Sequence, residues 1–296
     1  MAVLEGAVIY SNLLVLLSLG LTITYITTGV PNFAQGSFAV FGAYVSLSLF
    51  YLLGIHPYYS LFVSLILGSF IGIAMYAWVL KPLIVRGARP VILMISTLAI
   101  DLIMLGGFGA YSDYLAAITK KATKKFIFTP YDFELMGTSA IFTVSTLVIV
   151  LMLLSLFLLL YKTKFGIALR ASMENPTLAE IMGINVEHTR IFSWLLSGAL
   201  ASVAGSLLPF RQEIVPASGT IIIVSIFAAS IVGGLNSIYG ALVGGYIVGI
   251  SESFITYELV SILGSGILLY SKVVSLVILI FMLIFAPKGI TSIKWR

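Results

Sequence analysis

Long apolar runs dominate this sequence and restrict the folds that are open to it. At least seven runs reach about 18 mostly apolar residues, the length that an α-helix needs to cross ~30 Å of hydrocarbon. Only 9% of the 296 residues are charged, whereas a soluble globular domain has roughly 25%. The sequence therefore predicts an all-α fold, a polytopic integral membrane helical bundle.

The number of spans depends on how one turn is interpreted. We expect a single transmembrane domain over 1–296, with spans at about 8–28, 36–54, 60–80, 91–111, 140–160, 191–210, 219–234, 240–258 and 267–286. Only the turn GVPNFAQG separates the first two runs, so they are either one broken span or two. This gives about 8–10 transmembrane helices.

The basic residues predict the orientation. Nine spans place the loops 81–89 and 161–190 and the end 288–296 on one side, and together these carry ten of the 16 Lys and Arg residues. Cytosolic loops of membrane proteins carry an excess of Lys and Arg. We therefore expect a multi-pass plasma-membrane protein in which this side, with the C-terminus, is cytosolic. The same bias explains the net charge of +5 without nucleic acid.

The longest loop on the opposite side, at about 112–137, runs against this bias. It carries a basic cluster, Lys120, Lys121, Lys124 and Lys125. The cluster is either a solvated surface or a contact for an acidic extracellular partner, since opposite charges steer docking.

The residues that enzymes use are largely missing from the sequence. It has no Gly-rich loop ending in Gly-Lys-Ser/Thr, the motif that binds ATP phosphates. It has no cysteine, and its two histidines, His56 and His188, fall on opposite predicted faces of the membrane. We therefore expect no catalytic residue, no metal site and no cofactor bound by this chain.

A polar stretch, GIALRASMENPTLAEIMGINVEHTR, interrupts the apolar runs within the predicted cytosolic loop 161–190. Asn175 fits an N-cap, Pro176 the first helical position, and Gly183 the position past the end. The stretch therefore predicts a short helix over Pro176–Met182, with Leu178, Ile181 and Met182 on one face and Glu180 on another. A helix this short is unstable alone in water, so it needs the bilayer surface or a partner protein under its apolar face.

Charged residues inside the predicted spans include Asp101, Glu252 and Lys272. A centrally placed Asp costs about 2.5–3.5 kcal/mol on insertion scales, so it should face the bundle interior or water. Asp101 and Glu252 are thus candidates for a translocation pathway or for ion coupling. The alternative for each is a hydrogen bond to a neighbouring helix or a partner subunit.

The segment GVPNFAQGSF is unusual for a membrane core because Pro31 removes a backbone donor and glycines flank it. Irregular backbone survives at membrane depth only where protein or a water-filled cavity satisfies it. Asn32 and Gln35 are candidates to satisfy it or to line a path for a polar solute. A tight cytosolic turn is the other interpretation.

Small residues recur at fourth places in the eighth predicted span, a spacing that lets helix backbones approach closely. We expect them to pack helices within the chain or across a dimer; they are Gly240, Gly244, Gly245 and Gly249.

Four stretches resemble one known family. RASMENPTLAEIMGINVEHTR with SGALASVAGSLL is similar to the cytosolic coupling region of branched-chain amino acid ABC-importer permeases of the LivH/LivM type. NFAQGSFAVFGAYVS, with Gln35 where His is usual, IVGGLNSIYGALVGGYIVGISES and the ending at Pro287, Gly289 and Ile290 agree in order and spacing. The likeness covers about residues 20 to 291 and is closer to LivH than to LivM, whereas Asp101 departs from the expected small or hydroxyl residue.

The resemblance implies a membrane subunit of an ATP-driven importer of amino acids, with branched-chain amino acids as the expected solutes. Its partners would be a second, LivM-like permease, two cytosolic ATPases that use ATP-Mg, an extracellular solute-binding protein and membrane lipid. The residues expected to couple to the ATPases are Arg170, Glu174, Asn175, Pro176, Leu178, Glu180, Ile181, Met182 and Gly183.

Two other classes of function make different demands on the sequence. An ion- or proton-coupled secondary carrier of small polar solutes would need Asp101 or Glu252 to titrate or to bind an ion. A membrane-embedded enzyme would need a catalytic set, which the sequence does not offer.

Overall fold

The computed structural model describes residues 2–135, 137–264, 266 and 270–292. The predicted start of the last span, 267–269, and the basic residues Lys294 and Arg296 lie outside the described residues. The α-helices of the described part, in chain order, are α1 (Ala2–Thr28), α2 (Gln35–Leu53), α3 (Ser60–Ala74), α4 (Lys81–Val85), α5 (Pro90–Thr119), α6 (Ala140–Lys162), α7 (Lys164–Glu174), α8 (Pro176–Ile181), α9 (Val186–Leu207), α10 (Ser218–Gly233), α11 (Ile238–Leu263) and α12 (Ser271–Phe285).

Short elements connect these helices. A π-helical segment, Met75–Leu80, joins α3 directly to α4. Two-residue strands, β1 (Glu134–Leu135) and β2 (Thr138–Ser139), form an antiparallel hairpin. Single 3₁₀ turns lie at Pro57–Tyr59, Thr129–Tyr131, Leu208–Phe210 and Ile290–Ser292.

The prediction of an all-α membrane bundle is confirmed. Seven helical segments of the described chain are long and apolar enough to cross a membrane, namely those containing α1, α2, α3 with α4, α5, α6, α9 and α11. Two shorter apolar helices, α10 and α12, complete the nine predicted segments. The hairpin is the exception to the all-α fold, and it lies between α5 and α6, outside the predicted spans.

The bundle is organised around α1. In the apolar stretch of α1, 89% of the residues are buried, against 22% in α5 and in α6. α9 packs against both α1 and α2, and α11 lies along α1. A helix that is hydrophobic all round belongs in the interior of a bundle, which explains why α1 lacks a polar face.

The bundle has two distinct ends. At the start of α1, the Arg211 Nε donates to the Gly6 carbonyl at 3.3 Å, and the segment after Arg211 pairs with the loop before the hairpin through Phe126 and Ile214. We call this the hairpin end. At the other end of α1, the Arg190 Nε donates to the Thr27 carbonyl at 3.3 Å. We call this the α8 end, since Arg190 lies in the first turns of the helix that follows α8.

The turn between α1 and α2 begins at the surface, where Gly29 is exposed, and leads back into the bundle. Gly29 reverses the chain with a φ of +69°. The chain then returns into the bundle, where the Gln35 side chain contacts the middle of α1 at Leu17 and the middle of α9 at Ser197. The first two predicted spans are therefore separate helices, and α2 begins at the depth where α1 and α9 are half-way across.

The glycines of α11 lie at close helix contacts within the chain. A Cβ on Gly240 or Gly244 would meet the backbone of α10 at Gly233 or Ala229. A Cβ on Gly249 would lie 2.7 Å from the Ser11 Cα on α1, and Gly245 meets α1 in the same way at Val15. Glycine at these positions lets α11 pack closely against two helices at once.

Two boundaries differ from those expected. α5 continues to Thr119, so the loop expected from about residue 112 begins at Lys120, which closes the helix with a φ of +56°. The loop expected over 161–190 contains a second helix, α7, in addition to α8. α7 was missed because only Thr163 separates it from the preceding span.

Candidate functional site

The segment between α6 and α9 is built from three helix caps. The Thr163 hydroxyl accepts from the Gly166 amide at 2.9 Å at the start of α7. The Asn175 side chain accepts from the Leu178 amide at 3.0 Å at the start of α8, and Asn185 caps α9 in the same way. Each cap satisfies a backbone donor that a helix start leaves free. The caps therefore set where α7, α8 and α9 begin.

The ends of α8 carry the residues that the sequence predicts for them. Pro176 is its first residue, and the chain leaves it through Gly183, whose φ is +85°. This left-handed conformation favours glycine. The helix ends at Ile181, so Met182 is its C-cap rather than its last residue.

The apolar side chains of α8 point away from the bundle. Leu178 is 55% exposed, Ile181 76% and Met182 75%, while Ala179 is buried. These three side chains form what we call the α8 patch. Exposed apolar clusters of this kind mark contacts with another protein or with the membrane.

The charged residues around the α8 patch differ in their surroundings. Glu174 and Glu180 are exposed, and neither forms an ion pair within the described part of the chain. The Arg170 guanidinium instead lies 4.6 Å from the centre of the Tyr161 ring, and this cation–π contact holds α7 against the end of α6. The two carboxylates thus remain available for ion pairs with another molecule, on the same surface as the α8 patch.

Polar contacts tie this surface to the bundle. The Ser172 hydroxyl of α7 donates to the Thr189 hydroxyl of α9 at 3.0 Å. The Lys81 Nζ of α4 lies 2.6 Å from a Glu187 carboxylate oxygen of α9. Sequence reasoning missed this ion pair, because the two residues are far apart in the chain.

The buried polar group at the start of α2 forms a closed network. Asn32 and Gln35 are fully buried. The Asn32 side-chain oxygen Oδ1 accepts from the Ala34 backbone amide at 3.0 Å, and its Nδ2 donates to the Gln35 Oε1 at 3.0 Å. Gln35 in turn accepts from the Ser197 hydroxyl at 2.8 Å and donates to the Leu17 carbonyl at 3.3 Å. The side chains thus satisfy the irregular backbone.

Asp101 lies beside this network. It is 6% exposed in the middle of α5, and it accepts a hydrogen bond of 2.6 Å from the Ser37 hydroxyl. Ser37 follows Gln35 by two residues on α2, and the neighbouring Phe33 amide donates to Thr97 of α5 at 3.2 Å. The structure therefore brings Asn32, Gln35 and Asp101 together around the start of α2.

Glu252 lies elsewhere, in a cluster towards the hairpin end. The Lys272 Nζ lies 2.5 Å from one Glu252 oxygen. The hydroxyls of Tyr10, Ser225 and Ser275 also donate to its carboxylate. Hydrogen bonds and a counter-ion are what a buried carboxylate needs. The sequence singled out Glu252 and Lys272, and their opposite charges in adjacent spans were the signal that could have paired them.

Metal binding has no support in the described residues, where no group of three or more His, Asp or Glu side chains is placed to hold an ion.

The chain is similar to transport proteins along nearly its whole length. Residues 3–283 match a family described as branched-chain amino acid transport system / permease component. A protein of Methanocaldococcus jannaschii named "Probable branched-chain amino acid transport permease protein LivH" is 64% identical over 294 residues, which cover 99% of this chain and 93% of that protein.

More distant relatives share the permease description. The high-affinity branched-chain amino acid transport system permease protein LivH of Escherichia coli K12 is 28% identical over 288 residues, covering 93% of this chain and 90% of that protein. The autoinducer 2 import system permease protein LsrC of Yersinia enterocolitica is 26% identical over 249 residues, covering 80% of this chain and 63% of that protein. No solved structure matches the chain.

Proposed function

This chain belongs to the family of branched-chain amino acid transport permease components, and on that premise we propose that it is the transmembrane permease subunit of an ATP-driven importer. The observation that carries the proposal is the α8 patch, a capped helix that exposes three apolar side chains at one end of a membrane bundle. The sequence has no phosphate loop of its own. The energy would therefore come from ATP-Mg bound by partner ATPases that dock on this patch.

The α8 end faces the cytosol in this proposal. The stretches 81–89 and 161–190, together with Lys288, carry eight of the 14 described Lys and Arg residues, as expected for cytosolic loops. The C-terminal segment after α12 lies on the same side, since the Thr291 hydroxyl donates to the Gly233 carbonyl next to the start of α11. The hairpin end would then meet an extracellular solute-binding protein.

The docking surface combines the α8 patch with the acidic side chains beside it. Leu178, Ile181 and Met182 would enter an apolar groove on the ATPase. Glu174 and Glu180, which have no counter-ion within the described chain, would pair with basic side chains around that groove. Opposite charges at the rim of an apolar contact set its orientation and speed its formation.

Movement of α8 has a physical route into the bundle. α7 and α8 are held to α9 by the Ser172–Thr189 hydrogen bond. α9 continues to the middle of the bundle, where Ser197 contacts Gln35 at the start of α2. We therefore place a switch of the translocation pathway at the start of α2, with Asn32, Gln35 and Asp101 as its polar groups. Glu252 would hold α1, α10, α11 and α12 together nearer the hairpin end.

The proposed solute is a branched-chain amino acid, and its support is the printed description of the family and of the relatives. A LivM-like permease would be the second membrane subunit. The secondary-carrier alternative is not favoured, because the relatives are permease components of transport systems and Asp101 and Glu252 each have hydrogen-bond donors.

Co-purification with the ATPases tests the proposal. The chain is expressed with the two ATPases proposed as its partners, and the amount of ATPase recovered with the permease is measured for wild type, Leu178→Asp and Leu135→Asp. Leu135 is an exposed leucine of the hairpin, at the opposite end of the bundle. We expect at least a tenfold loss for Leu178→Asp and none for Leu135→Asp. Equal recovery in all three, or uptake that proceeds without the ATPases, would overturn the proposal.

A further inference from the structure

A polar cavity lies at the hairpin end, apart from the start of α2 and from α8. Its volume is about 640 Å³, within the range of sites that bind small molecules. α1, α11, α12, the segment after α9 and the loop before the hairpin form its wall, which includes Tyr10, Ile127, Arg211, Thr256, Val260 and Lys272.

Among the described residues, one cation in the wall of this cavity has no counter-ion. Lys272 is paired with Glu252, and Glu213 is paired with Lys125 at 2.9 Å. Arg211 donates through Nε to the Gly6 carbonyl but forms no ion pair within the described chain. Its terminal nitrogens can donate two parallel hydrogen bonds to a planar carboxylate.

A second observation points to a ligand in the same cavity. Thr256 lies in the wall, one helical turn after Glu252 on α11, and its side chain is 8% exposed. Its hydroxyl has no hydrogen-bond partner among the described residues. Buried polar groups are rarely left without a partner. The hydroxyl oxygen lies within the wall, and a rotation about χ1 would turn it into the cavity to bond a ligand there.

The rest of the wall is aliphatic and aromatic. Ile127, Val260 and the Tyr257 ring add apolar surface beside the polar groups. A ligand with a carboxylate at one end and a branched aliphatic group at the other matches both parts of the wall.

We propose that this cavity binds an aliphatic amino acid through its carboxylate, with Arg211 as the counter-ion and Thr256 as a hydrogen-bonding partner. The inference rests on the proposed function, because it identifies the cavity as a point at which the imported solute contacts this chain at its outer end. Solute delivered at the hairpin end would be held there before the pathway opens.

The test measures equilibrium binding of L-leucine to the purified full chain in detergent micelles, with saturation-transfer NMR as the readout. Leucinamide, which lacks the carboxylate, and 4-methylpentanoate, which keeps it, are measured in parallel. We expect saturable binding of L-leucine and 4-methylpentanoate, and binding of leucinamide weaker by about tenfold or more, since a charged hydrogen-bonding partner contributes at least that factor.

Variants separate the cavity from unspecific binding. Arg211→Gln should weaken L-leucine binding by about tenfold or more and Thr256→Val by several-fold, whereas Arg86→Gln, an exposed arginine at the α8 end, should leave it unchanged. If Arg211→Gln does not fold, Thr256→Val and the ligand series decide. Equal binding of leucinamide and leucine, or wild-type affinity in Thr256→Val and Arg211→Gln, would overturn the inference.

ATP-driven uptake in the assembled transporter distinguishes this failure from that of the proposed function. Uptake that depends on the ATPases, together with leucine binding that ignores Arg211, would reject the cavity alone. Arg211-dependent binding without any ATPase-dependent uptake would keep the cavity as a ligand site but reject the importer on which its role in transport rests.

Discussion

The Nζ of Lys81 lies 2.6 Å from a carboxylate oxygen of Glu187, and this ion pair joins α4 to the first turn of α9. Among the described residues, no backbone hydrogen bond joins α4 to α9, so this ion pair is a polar link between the two helices at the α8 end. Because α9 follows α8 directly, the pair fixes the base of the proposed docking surface against the α3–α4 arm of the bundle.

Reversing one charge of this pair should lower ATP-driven uptake more than it lowers the stability of the fold. The two side chains are 45% and 34% exposed, so water and salt screen them, and we expect Lys81→Glu to cost at most about 1 kcal/mol of stability. We expect ATP-driven uptake to fall several-fold in Lys81→Glu and in Glu187→Lys, and to recover in the double reversal. Uptake assays at low and high salt measure this, and failure of the double variant to recover would contradict the role of the pair.

Breaking the Lys272–Glu252 pair should cost much more stability than breaking the Lys81–Glu187 pair, because its side chains are only 17% and 5% exposed. Removing one partner of a buried pair leaves an uncompensated charge, at a cost of about 3–5 kcal/mol. We expect Lys272→Met to lower the thermal unfolding midpoint strongly, and Lys272→Met with Glu252→Gln to restore part of the loss. Lys125→Met, which breaks an exposed pair with Glu213, is the control and should change the midpoint little.

Local features of the coupling segment could be predicted from sequence, whereas its contacts could not. Asn175, Pro176 and Gly183 specify the ends of α8 through interactions within a few residues, so a sequence window contains the whole cause. The pairing of Lys81 with Glu187 depends on which helices pack together, and the sequence alone does not determine that. Thr163 was a local signal as well, and it could have revealed α7 because it caps Gly166 three residues later.

The same distinction holds inside the membrane. The polar residues at the start of α2 were recognised as a break in an apolar run, because Pro31 and its flanking glycines are visible in the sequence. The depth of that break within the bundle could not be predicted, because it depends on contacts of Gln35 with Leu17 and Ser197. The span pattern itself was predictable, since hydrocarbon thickness fixes the length of an apolar helix.

Gly249 should be intolerant of any side chain. A Cβ there would lie 2.7 Å from the Ser11 Cα, so Gly249→Ala must push α11 away from α1, and overpacking of this kind costs about 1–3 kcal/mol. Gly109→Ala on α5 is the matched control, because no atom lies within 4 Å of its added Cβ. Thermal unfolding in detergent should show a lower midpoint for Gly249→Ala alone, and equal midpoints would show that α11 adapts.

The cap of α8 should matter for docking. Asn175→Ala removes the side-chain acceptor of the Leu178 amide, a loss that typically costs about 0.5–2 kcal/mol. We expect faster hydrogen exchange over α8 and weaker recovery of the ATPases, with the permease still inserted. Asn236→Ala, at an exposed asparagine before α11, should change neither quantity. Unchanged exchange in Asn175→Ala would mean that packing on α7 and α9 alone forms the helix.

Asn32 and Gln35 should be needed for transport rather than for assembly. Gln35→Ala removes the acceptor of the Ser197 hydroxyl and the donor to the Leu17 carbonyl, and each buried group left unpaired costs about 1–3 kcal/mol. The start of α2 then loses its fixed position between α1 and α9, so we expect uptake to fall at least tenfold in Gln35→Ala and Asn32→Ala while the ATPases still co-purify. Gln35→His keeps a side chain that can both donate and accept, and it should retain more uptake than Gln35→Ala. Wild-type uptake in both alanine variants would mean that the segment is only a turn.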